Sequence, residues 1–166
     1  MRKLLALALL VPALAVADWG DSQVQYEEQK AWTEQETKLP AYPKDADLLP
    51  FFVSAATDNR FFIDAKSITV GKDGVVRYTL VVKSASGAVN VSFEGMRCAT
   101  GQVKAYAFGR GDGTWFAARH PDWRTIVYKD RNRQHHVLFD DFFCPGGIAV
   151  GSPKEAVEAL RHGQNP

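Results

Sequence analysis

Alternation of hydrophobic and polar residues in the middle of the chain predicts an antiparallel β-sheet. The clearest case is residues 89–94, where valine or phenylalanine occupies every odd position and a polar residue every even one. A period of two places one side of a strand on a core and the other side in water. Further strands are predicted over residues 60–64, 67–70, 75–84, 102–108 and 114–118. Because short glycine-containing turns leave no room for crossover helices, the predicted fold class is α+β, with an antiparallel meander sheet of five to seven strands.

The last third of the chain carries two helix signals. In residues 134–143, leucine and phenylalanine side chains spaced four apart predict a short amphipathic helix, although the same pattern also fits a strand. The second signal is stronger, because Ser152 suits an N-cap, Pro153 suits the first helical position and Glu155 follows three residues after the cap. A helix is therefore predicted from 153 to about 161, and the sheet is expected to carry one or two short C-terminal helices.

The first 17 residues have the composition of a cleavable secretory signal. A basic start is followed by an apolar run over residues 4–16, and the small residues Ala15 and Ala17 occupy the positions that signal peptidase requires. Cleavage after Ala17 would place the mature protein in the periplasm or outside the cell. Since 13 apolar residues are too few to span a bilayer and no later run approaches about 20, no transmembrane segment is expected.

Composition divides the rest of the chain into two parts. Residues 18–50 are polar, contain three prolines and show no regular apolar stripe, which predicts an N-terminal arm. Residues 51–166 are predicted to form a single α+β domain, because domains most often hold about 100 to 150 residues. Parts of the arm are expected to dock on this domain through its spaced aromatic residues, Trp19, Tyr26, Trp32 and Tyr42.

Charge is distributed unevenly along the chain. Residues 18–48 contain eight acids and three bases, a net charge of −5, whereas residues 97–133 contain eight bases and three acids, a net charge of +5. Two interpretations follow from this pattern. Either the acidic arm lies over the basic part of the sheet and neutralises it, or the basic part faces outward and binds anionic material of the cell envelope.

The two cysteines, Cys98 and Cys144, both fall in the part predicted to be exported. Thiols are normally oxidised in such compartments, so one Cys98–Cys144 disulfide is expected. Closing a loop of this length would stabilise the fold by roughly 4 kcal/mol in the loop-entropy description. A pair of free or metal-bound thiols is the alternative.

The sequence contains no pattern of a known catalytic machinery. There is no G-x-S-x-G serine elbow and no H-E-x-x-H zinc motif. His120, His136 and Asp140 are weak candidates for metal ligands, because the last two would lie one turn apart on a helix. These three residues support an alternative function as a small periplasmic hydrolase or metal-dependent enzyme. The simpler interpretation is that the histidines are solvated surface residues, so no cofactor is expected and a non-enzymatic protein is favoured.

Arginines and tryptophans are interleaved in the basic part of the chain. Trp115 and Trp123 either stack on a ligand or close one end of the core, which is the commoner role of tryptophan. Arg119, Arg131 and Arg133 are candidate anion-binding residues. The partner predicted from these residues is an anionic envelope component or another envelope protein, and no nucleic acid is expected.

Several sequence blocks resemble a known protein family. They are SAATDNRFFID at 54–64, SITV at 67–70, GVVRYTL at 74–80, FEGMRC at 93–98, YAFG at 106–109 and FFCP at 142–145. In this order, over about residues 39–160, they are similar to the CNP-like (CNP-one-like) uncharacterised domain of exported proteobacterial proteins. The resemblance implies a location in the Gram-negative envelope, and it carries no catalytic residues over to this chain.

A shorter block, FIDAKS at 62–67, is similar to an aromatic-Ile-Asp-x-x-Ser block of surface-adhesin domains. This likeness favours binding over catalysis. The favoured function is therefore that of a non-enzymatic periplasmic or surface binding module.

Overall fold

The computed structural model describes residues 31–128 and 133–163. The predicted signal segment 1–17, the arm before residue 31 and the candidate residue Arg131 lie outside these ranges. The described part confirms the α+β fold class, with an eight-stranded sheet followed by two short helices. The strands are β1 (Leu48–Phe51), β2 (Arg60–Asp64), β3 (Thr69–Val70), β4 (Val75–Lys83), β5 (Val89–Arg97), β6 (Gln102–Gly109), β7 (Trp115–Ala117) and β8 (Arg124–Thr125).

The described strands pair antiparallel in the order β1-β2-β4-β5-β6-β7, with β3 beside β4 and β8 beside β6. β4 and β5 form the centre and pair over their whole length, from Val75 opposite Arg97 to Lys83 opposite Val89. The sheet has one strand more than the upper end of the predicted number. The strands that the sequence did not indicate, β1 and β8, have four and two residues and are too short to show a clear period.

One face of the sheet packs against the C-terminal helices and forms the hydrophobic core. α1 (Arg133–Val137) continues directly into a π-helix (Leu138–Phe143), and α2 (Pro153–His162) follows after a turn. We call this side of the sheet the helix-covered face. Its core residues on β2, β4 and β5 are Phe61, Ile63, Val76, Tyr78, Leu80 and Met96.

The helix predicted over residues 134–143 is confirmed, with a change of geometry at Leu138. The backbone N–H of Cys144 donates to the carbonyl of Phe139, five residues earlier, at 3.0 Å. Because a π-helical turn holds more residues than an α-helical turn, Phe142 and Phe143 can both be buried beside Leu138, whereas Phe139 is half-buried.

The predicted disulfide and the predicted C-terminal helix are also confirmed. Cys98, which follows β5, is bonded to Cys144 at the end of the π-helix, with a Cα–Cα distance of 5.3 Å. The Ser152 side chain accepts a hydrogen bond from the backbone N–H of Glu155 at 3.2 Å and so caps α2. None of the helices within the described ranges is long and apolar enough to cross a membrane.

The opposite face of the sheet is covered by the described part of the N-terminal arm. Residues 31–44 form no helix or strand. Trp32 contacts the turn between β3 and β4, and Tyr42 contacts the turn between β6 and β7, so the segment between them crosses the sheet. We call residues 32–43 the arm segment and the sheet surface beneath them the arm-covered face.

Candidate functional site on the arm-covered face

The arm-covered face combines aromatic and charged side chains, whereas the helix-covered face is mainly apolar. Strand alternation directs the odd-numbered residues of β4 and β5 to this side, and the register of β6 adds Lys104 opposite Gly95. A mixed surface of this kind can bind a polar partner without excluding water completely. The side chains concerned are Asp73, Arg77, Phe93, Arg97, Lys104, Tyr106, Trp115 and Trp123.

Three donors of this face converge on the carboxylate of Glu34. Lys104 Nζ lies 2.8 Å from Oε2, the Tyr106 hydroxyl donates to Oε1 at 2.9 Å, and the Trp123 indole donates to Oε2 at 3.1 Å. A cation and two neutral donors therefore hold both oxygens of one carboxylate. This combined interaction is stronger than a single exposed ion pair. We call Lys104, Tyr106 and Trp123 the carboxylate socket.

A buried ion pair binds the main chain of the arm segment next to Glu34. Arg77 Nη2 lies 2.6 Å from Asp73 Oδ2, and both side chains are only 3% exposed. Asp73 Oδ2 accepts a hydrogen bond from the backbone N–H of Gln35 at 2.8 Å, and Arg77 Nη2 donates to the carbonyl of the same residue at 2.9 Å. The ion pair thus contacts both polar groups of one peptide residue.

Trp32 occupies an aromatic site two residues before Glu34. The guanidinium carbon of Arg97 lies 3.7 Å from the ring centroid of Trp32, and Trp123 meets that ring edge-on at 5.9 Å. The Trp32 indole donates to the carbonyl of Asp73 at 2.8 Å. Cation–π contacts of this kind contribute about 0.5 to 2 kcal/mol. Docking of the arm through Trp32, as expected from the sequence, is confirmed.

Two glycines make room for the aromatic rings of this face. A Cβ atom at Gly95 would lie 2.6 Å from the Tyr106 hydroxyl oxygen, and one at Gly109 would lie 2.7 Å from the Tyr42 hydroxyl oxygen. The register between β5 and β6 shifts between Phe93 and Glu94, just before Gly95, and leaves Tyr106 as an extra residue on β6. The Tyr106 ring can therefore lie across the sheet with its hydroxyl on Glu34.

The second anchor of the arm segment is Tyr42. Its hydroxyl donates to the carbonyl of Arg110 at 2.8 Å, and its ring lies 5.3 Å from that of Trp115. The Trp115 indole donates to the carbonyl of Pro40 at 3.0 Å. Trp115 and Trp123 do not have the core role that is commoner for tryptophan: both are half-buried contacts of the arm segment and lie outside the main hydrophobic core.

These hydrogen bonds determine the protonation states in the site. Burial raises the pKa of Glu34, but the bonds from the carboxylate socket outweigh this effect and hold the pKa below its ordinary value. The pKa of Asp73 is lowered in the same way, because bonds from Arg77 and from backbone N–H groups exceed the effect of burial. Burial and the bond to Glu34 raise the pKa of Tyr106, so its hydroxyl stays protonated and able to donate.

The arm segment does not seal the face beneath it. A cavity of about 590 Å³ is lined on one side by arm residues between Gln35 and Ala41 and on the other by Val70, Arg77 and Phe93. The Nε atom of Arg77 is buried and has no hydrogen-bond partner among the described residues. The arm segment is therefore held at discrete points and is not packed along its whole length.

A second polar cluster lies on the helix-covered face. The buried Glu94 carboxylate accepts hydrogen bonds from Ser92 at 2.7 Å, from His135 at 2.8 Å and from Tyr78 at 3.1 Å. Burial raises the pKa of Glu94, but the charge of His135 and these bonds lower it below its ordinary value. Among the described side chains the Ser92 hydroxyl bonds Glu94 and not His135, so the pairing of nucleophile and base in a catalytic triad is not formed. The cluster fastens α1 to the sheet.

Of the three residues considered as metal ligands from the sequence, the structure brings only His136 and Asp140 together. His136 bonds the carbonyl of Val127 through Nε2, and Asp140 accepts from the Tyr128 hydroxyl at 3.1 Å. His136 and Asp140 line one cleft of about 290 Å³, as the helical spacing predicts, but the exposed His120 is not part of its wall. Within residues 31–128 and 133–163, no three His, Cys, Asp or Glu side chains could share a metal ion. The three-residue metal site is therefore not formed.

The candidate anion-binding arginines are surface residues where the structure describes them. Arg119 follows β7 and makes no hydrogen bond or ion pair with another described residue. Arg133 begins α1 and lies 3.5 Å from the Ser54 hydroxyl. Arg131 lies outside the described residues. The bound carboxylate is instead at Lys104, which the sequence analysis did not single out.

Sequence reasoning missed the carboxylate socket and the ion pair. The only signal for them was the opposite charge of the arm and the sheet, and the Glu34–Lys104 contact of 2.8 Å agrees with the interpretation in which the arm covers the basic sheet. Lys104 and Tyr106 are two residues apart on β6, so strand alternation predicts that they share a face. The register shift that brings the Tyr106 ring over Gly95 depends on the pairing with β5 and cannot be predicted from β6 alone. That contact has no local signature.

Comparison with known proteins identifies a family. The model of the CNP1-like family matches residues 27–161. The chain belongs to the CNP1-like family. Among curated proteins, "Cryptic neisserial protein 1" of Neisseria gonorrhoeae (strain ATCC 700825 / FA 1090) is 28% identical to it over 136 residues. This match covers 72% of the chain and 66% of the relative, slightly less than two thirds of the relative's own length.

Membership of the CNP1-like family confirms the resemblance found in the sequence blocks. No solved structure matches the chain. The CNP1-like match begins at residue 27, so the arm segment lies within the family region along with the sheet and the helices. The family description names no substrate or partner.

Proposed function

We propose that the mature protein is a non-enzymatic binding module of the cell envelope that holds an anionic partner on its arm-covered face. The observation that supports this proposal is the carboxylate socket, in which Lys104, Tyr106 and Trp123 donate to one carboxylate. Three converging donors bind a carboxylate because of its charge and shape and not because of the chain to which it belongs. Glu34 is the present occupant.

The surrounding charge supports an anionic partner. Residues 97–133, which include the socket, the exposed Arg119 and Arg133, and also Arg131, carry a net charge of +5. Exposed cations raise the rate at which anions reach a site, while buried and hydrogen-bonded donors determine how long they stay. We assign the first role to the three arginines and the second to the socket.

The envelope location rests on the first 17 residues. Export with cleavage after Ala17 would leave Asp18 at the N-terminus of a periplasmic or secreted protein. Mass spectrometry of the protein from cell fractions tests this directly. The expected N-terminal residue is Asp18 in the periplasmic fraction or the medium, and an uncleaved chain confined to the cytoplasm would contradict the location.

Binding to two acidic polymers tests the proposed function. Poly-L-glutamate and polygalacturonate both carry carboxylates, one on a peptide and the other on a glycan. The Glu34→Gln variant frees the socket, so it should bind at least one of these polymers about fivefold more tightly than the wild type. Adding Lys104→Gln should remove this gain, whereas adding Arg124→Gln, the same charge change on exposed β8, should preserve it.

Two results would contradict the proposed site. One is an equal loss of binding from Lys104→Gln and Arg124→Gln, which would indicate a general charge effect. The other is a loss of binding from combined Arg119→Gln and Arg133→Gln with none from Lys104→Gln, which would move the anion site to the surface arginines.

A further inference from the structure

We infer that the arm segment occupies the binding site of a peptide ligand. The ligand would be an extended acidic segment of another protein, in which an aromatic residue stands two positions before a residue with a carboxylate side chain. This inference rests on the proposed function and names its class of partner. The contacts of Trp32, Glu34 and Gln35 carry it, since each uses a different feature of a polypeptide chain.

The main-chain contacts favour a peptide over a glycan. The Asp73 carboxylate accepts from an N–H, and the Arg77 guanidinium donates to the C=O of the same residue, Gln35. Every peptide residue except proline offers this pair of groups. The side chain of Gln35 also accepts from the backbone N–H of Lys72 at 3.3 Å, which keeps this residue in place. The buried ion pair is thus arranged for a backbone amide.

The side-chain contacts define the spacing. In an extended segment, residues two apart point to the same side. Trp32 and Glu34 follow this rule, because Trp32 lies between Arg97 and Trp123 while Glu34 enters the socket beside it. Trp123 contacts both residues, so the aromatic site and the carboxylate site form one continuous surface.

The arm segment can leave this surface without breaking the fold. The hydrophobic core contains no residue from the segment 32–47. The segment forms no β-ladder with the sheet, and the cavity of about 590 Å³ beneath residues 35–41 leaves room for an incoming chain. Only hydrogen bonds, the ring contacts of Trp32 and Tyr42 and a partly exposed ion pair therefore have to be exchanged.

The partner is a different protein and not a second copy of this chain. A second copy would offer the same sequence that each chain already holds. An attached segment has a large advantage in effective concentration over an identical segment in solution. A foreign segment can overcome that advantage by fitting better, for instance by filling the cavity that the arm leaves open. The arm segment then sets a threshold of affinity that a partner must exceed.

A labelled peptide with the sequence of residues 31–38 tests the inference. We would measure its binding to the full mature chain carrying Trp32→Ala and Glu34→Gln, which loosens the arm and leaves the receptor residues intact. This variant should bind the peptide at least tenfold more tightly than the wild type. A peptide methylated on the backbone nitrogen at the Gln35 position lacks the N–H that donates to Asp73. It should bind this variant at least tenfold more weakly than the unmodified peptide. A peptide with glutamine in place of glutamate at the Glu34 position should show a similar loss.

The outcomes separate this inference from the proposed function. If acidic polymers bind through Lys104 but the peptide does not, or if its N-methylated form binds equally well, the peptide inference is wrong and the anion site stands. If neither polymers nor peptide bind, both are wrong. A wild-type dimer that dissociates when Trp32 and Glu34 are replaced would assign the face to a second copy and would also overturn the inference.

A measurement on the wild type keeps the test valid if the arm variant folds poorly. An excess of the peptide should displace the arm segment and accelerate tryptic cleavage after Lys38 at least fivefold. The glutamine-substituted peptide is the matched control and should have no effect. Unchanged cleavage at peptide concentrations of about 1 mM would overturn the inference.

Discussion

The two faces of the central sheet are covered by different kinds of contact. On the helix-covered face, the π-helix packs Phe143 against Tyr78 of β4, α2 packs against the π-helix and β1, and the Cys98–Cys144 disulfide joins the end of the π-helix to the end of β5. On the arm-covered face, an irregular segment is held by hydrogen bonds, one ion pair and stacked rings above a cavity of about 590 Å³.

The helices are therefore needed for folding, whereas the arm segment can be exchanged for another chain. Apolar burial contributes roughly 25 cal/mol per Å² and is lost as a whole when a helix detaches. A hydrogen bond exchanged with water contributes only about 0.5 to 1.5 kcal/mol net. The arm segment should therefore leave the sheet at a much lower free-energy cost than the helices.

The largest expected effect is on the helix-covered face. Phe142→Ala should lower the free energy of unfolding by about 3 to 5 kcal/mol, because Phe142 is fully buried and its loss leaves a cavity. Phe116→Ala is the matched control, since Phe116 is 41% exposed, and it should cost less than about 1 kcal/mol. Urea unfolding measures both variants. Equal losses would show that the helices do not form the main core.

Removing the disulfide should have the next largest effect. The Cys98→Ala, Cys144→Ala double variant should lose about 2 to 4 kcal/mol of stability, because the bridge closes a loop with a sequence separation of 46. The wild type under reducing conditions should show a similar loss in urea unfolding. Peptide binding on the opposite face at low urea should not change. A variant as stable as the wild type would contradict this account of the helix-covered face.

Acid should weaken the helix-covered face through Glu94. Since its pKa in the folded state lies below the ordinary glutamate value of about 4.3, ionised Glu94 stabilises the fold above that pH. This contribution is lost as the pH falls through the folded-state pKa. Glu94→Gln should cost about 1 to 3 kcal/mol at pH 7 and show a smaller loss between pH 5 and pH 3 than the wild type.

The control for Glu94 is Glu158→Gln on α2, whose side chain is 48% exposed. It should leave both the stability at pH 7 and its pH dependence close to those of the wild type. Urea unfolding at a series of pH values provides the comparison. If Glu94→Gln retained the full acid sensitivity of the wild type, the hydrogen-bonded cluster would not be its source.

The smallest expected effect on stability is on the arm-covered face. Glu34→Gln should cost about 1 to 1.5 kcal/mol, because the Glu34 contacts, a partly exposed ion pair and two hydrogen bonds, lie outside the core. The same change should alter tryptophan fluorescence, since Trp32 and Trp123 both lie beside Glu34. Glu36→Gln, at an exposed position two residues later, should leave the fluorescence unchanged.

The sequence alone was enough to predict the periodic elements of this fold, but it did not predict the carboxylate socket. The alternation over residues 89–94, the Ser152 cap and the pairing of Cys98 with Cys144 each depend on local pattern or on simple counting. The partners of Glu34 come from β6 and from the loop before β8, about 70 and 89 positions away. No local pattern specifies such a contact, and only the unequal charge of the arm and the sheet pointed towards it.

A related reason explains why His120, His136 and Asp140 do not form a metal site in the described structure. Helical spacing correctly predicts that His136 and Asp140 share a cleft. It does not predict the Val127 carbonyl that binds His136 or the Tyr128 hydroxyl that binds Asp140, because both come from the irregular residues that follow β8. His136 and Asp140, which the sequence indicated as metal ligands, are therefore hydrogen-bonded to Val127 and Tyr128 instead.

The most direct test of the difference between the two faces is hydrogen exchange of the tryptophan indoles. The indole N–H groups of Trp32, Trp115 and Trp123 each bridge the arm segment and the rest of the protein. In the wild-type chain, these three protons should exchange at least about 100-fold faster than the core amides of β4, because the arm opens without unfolding the sheet. Indole protons protected as strongly as the β4 amides would show that the arm leaves only on global unfolding, and that the arm-covered face is part of the core.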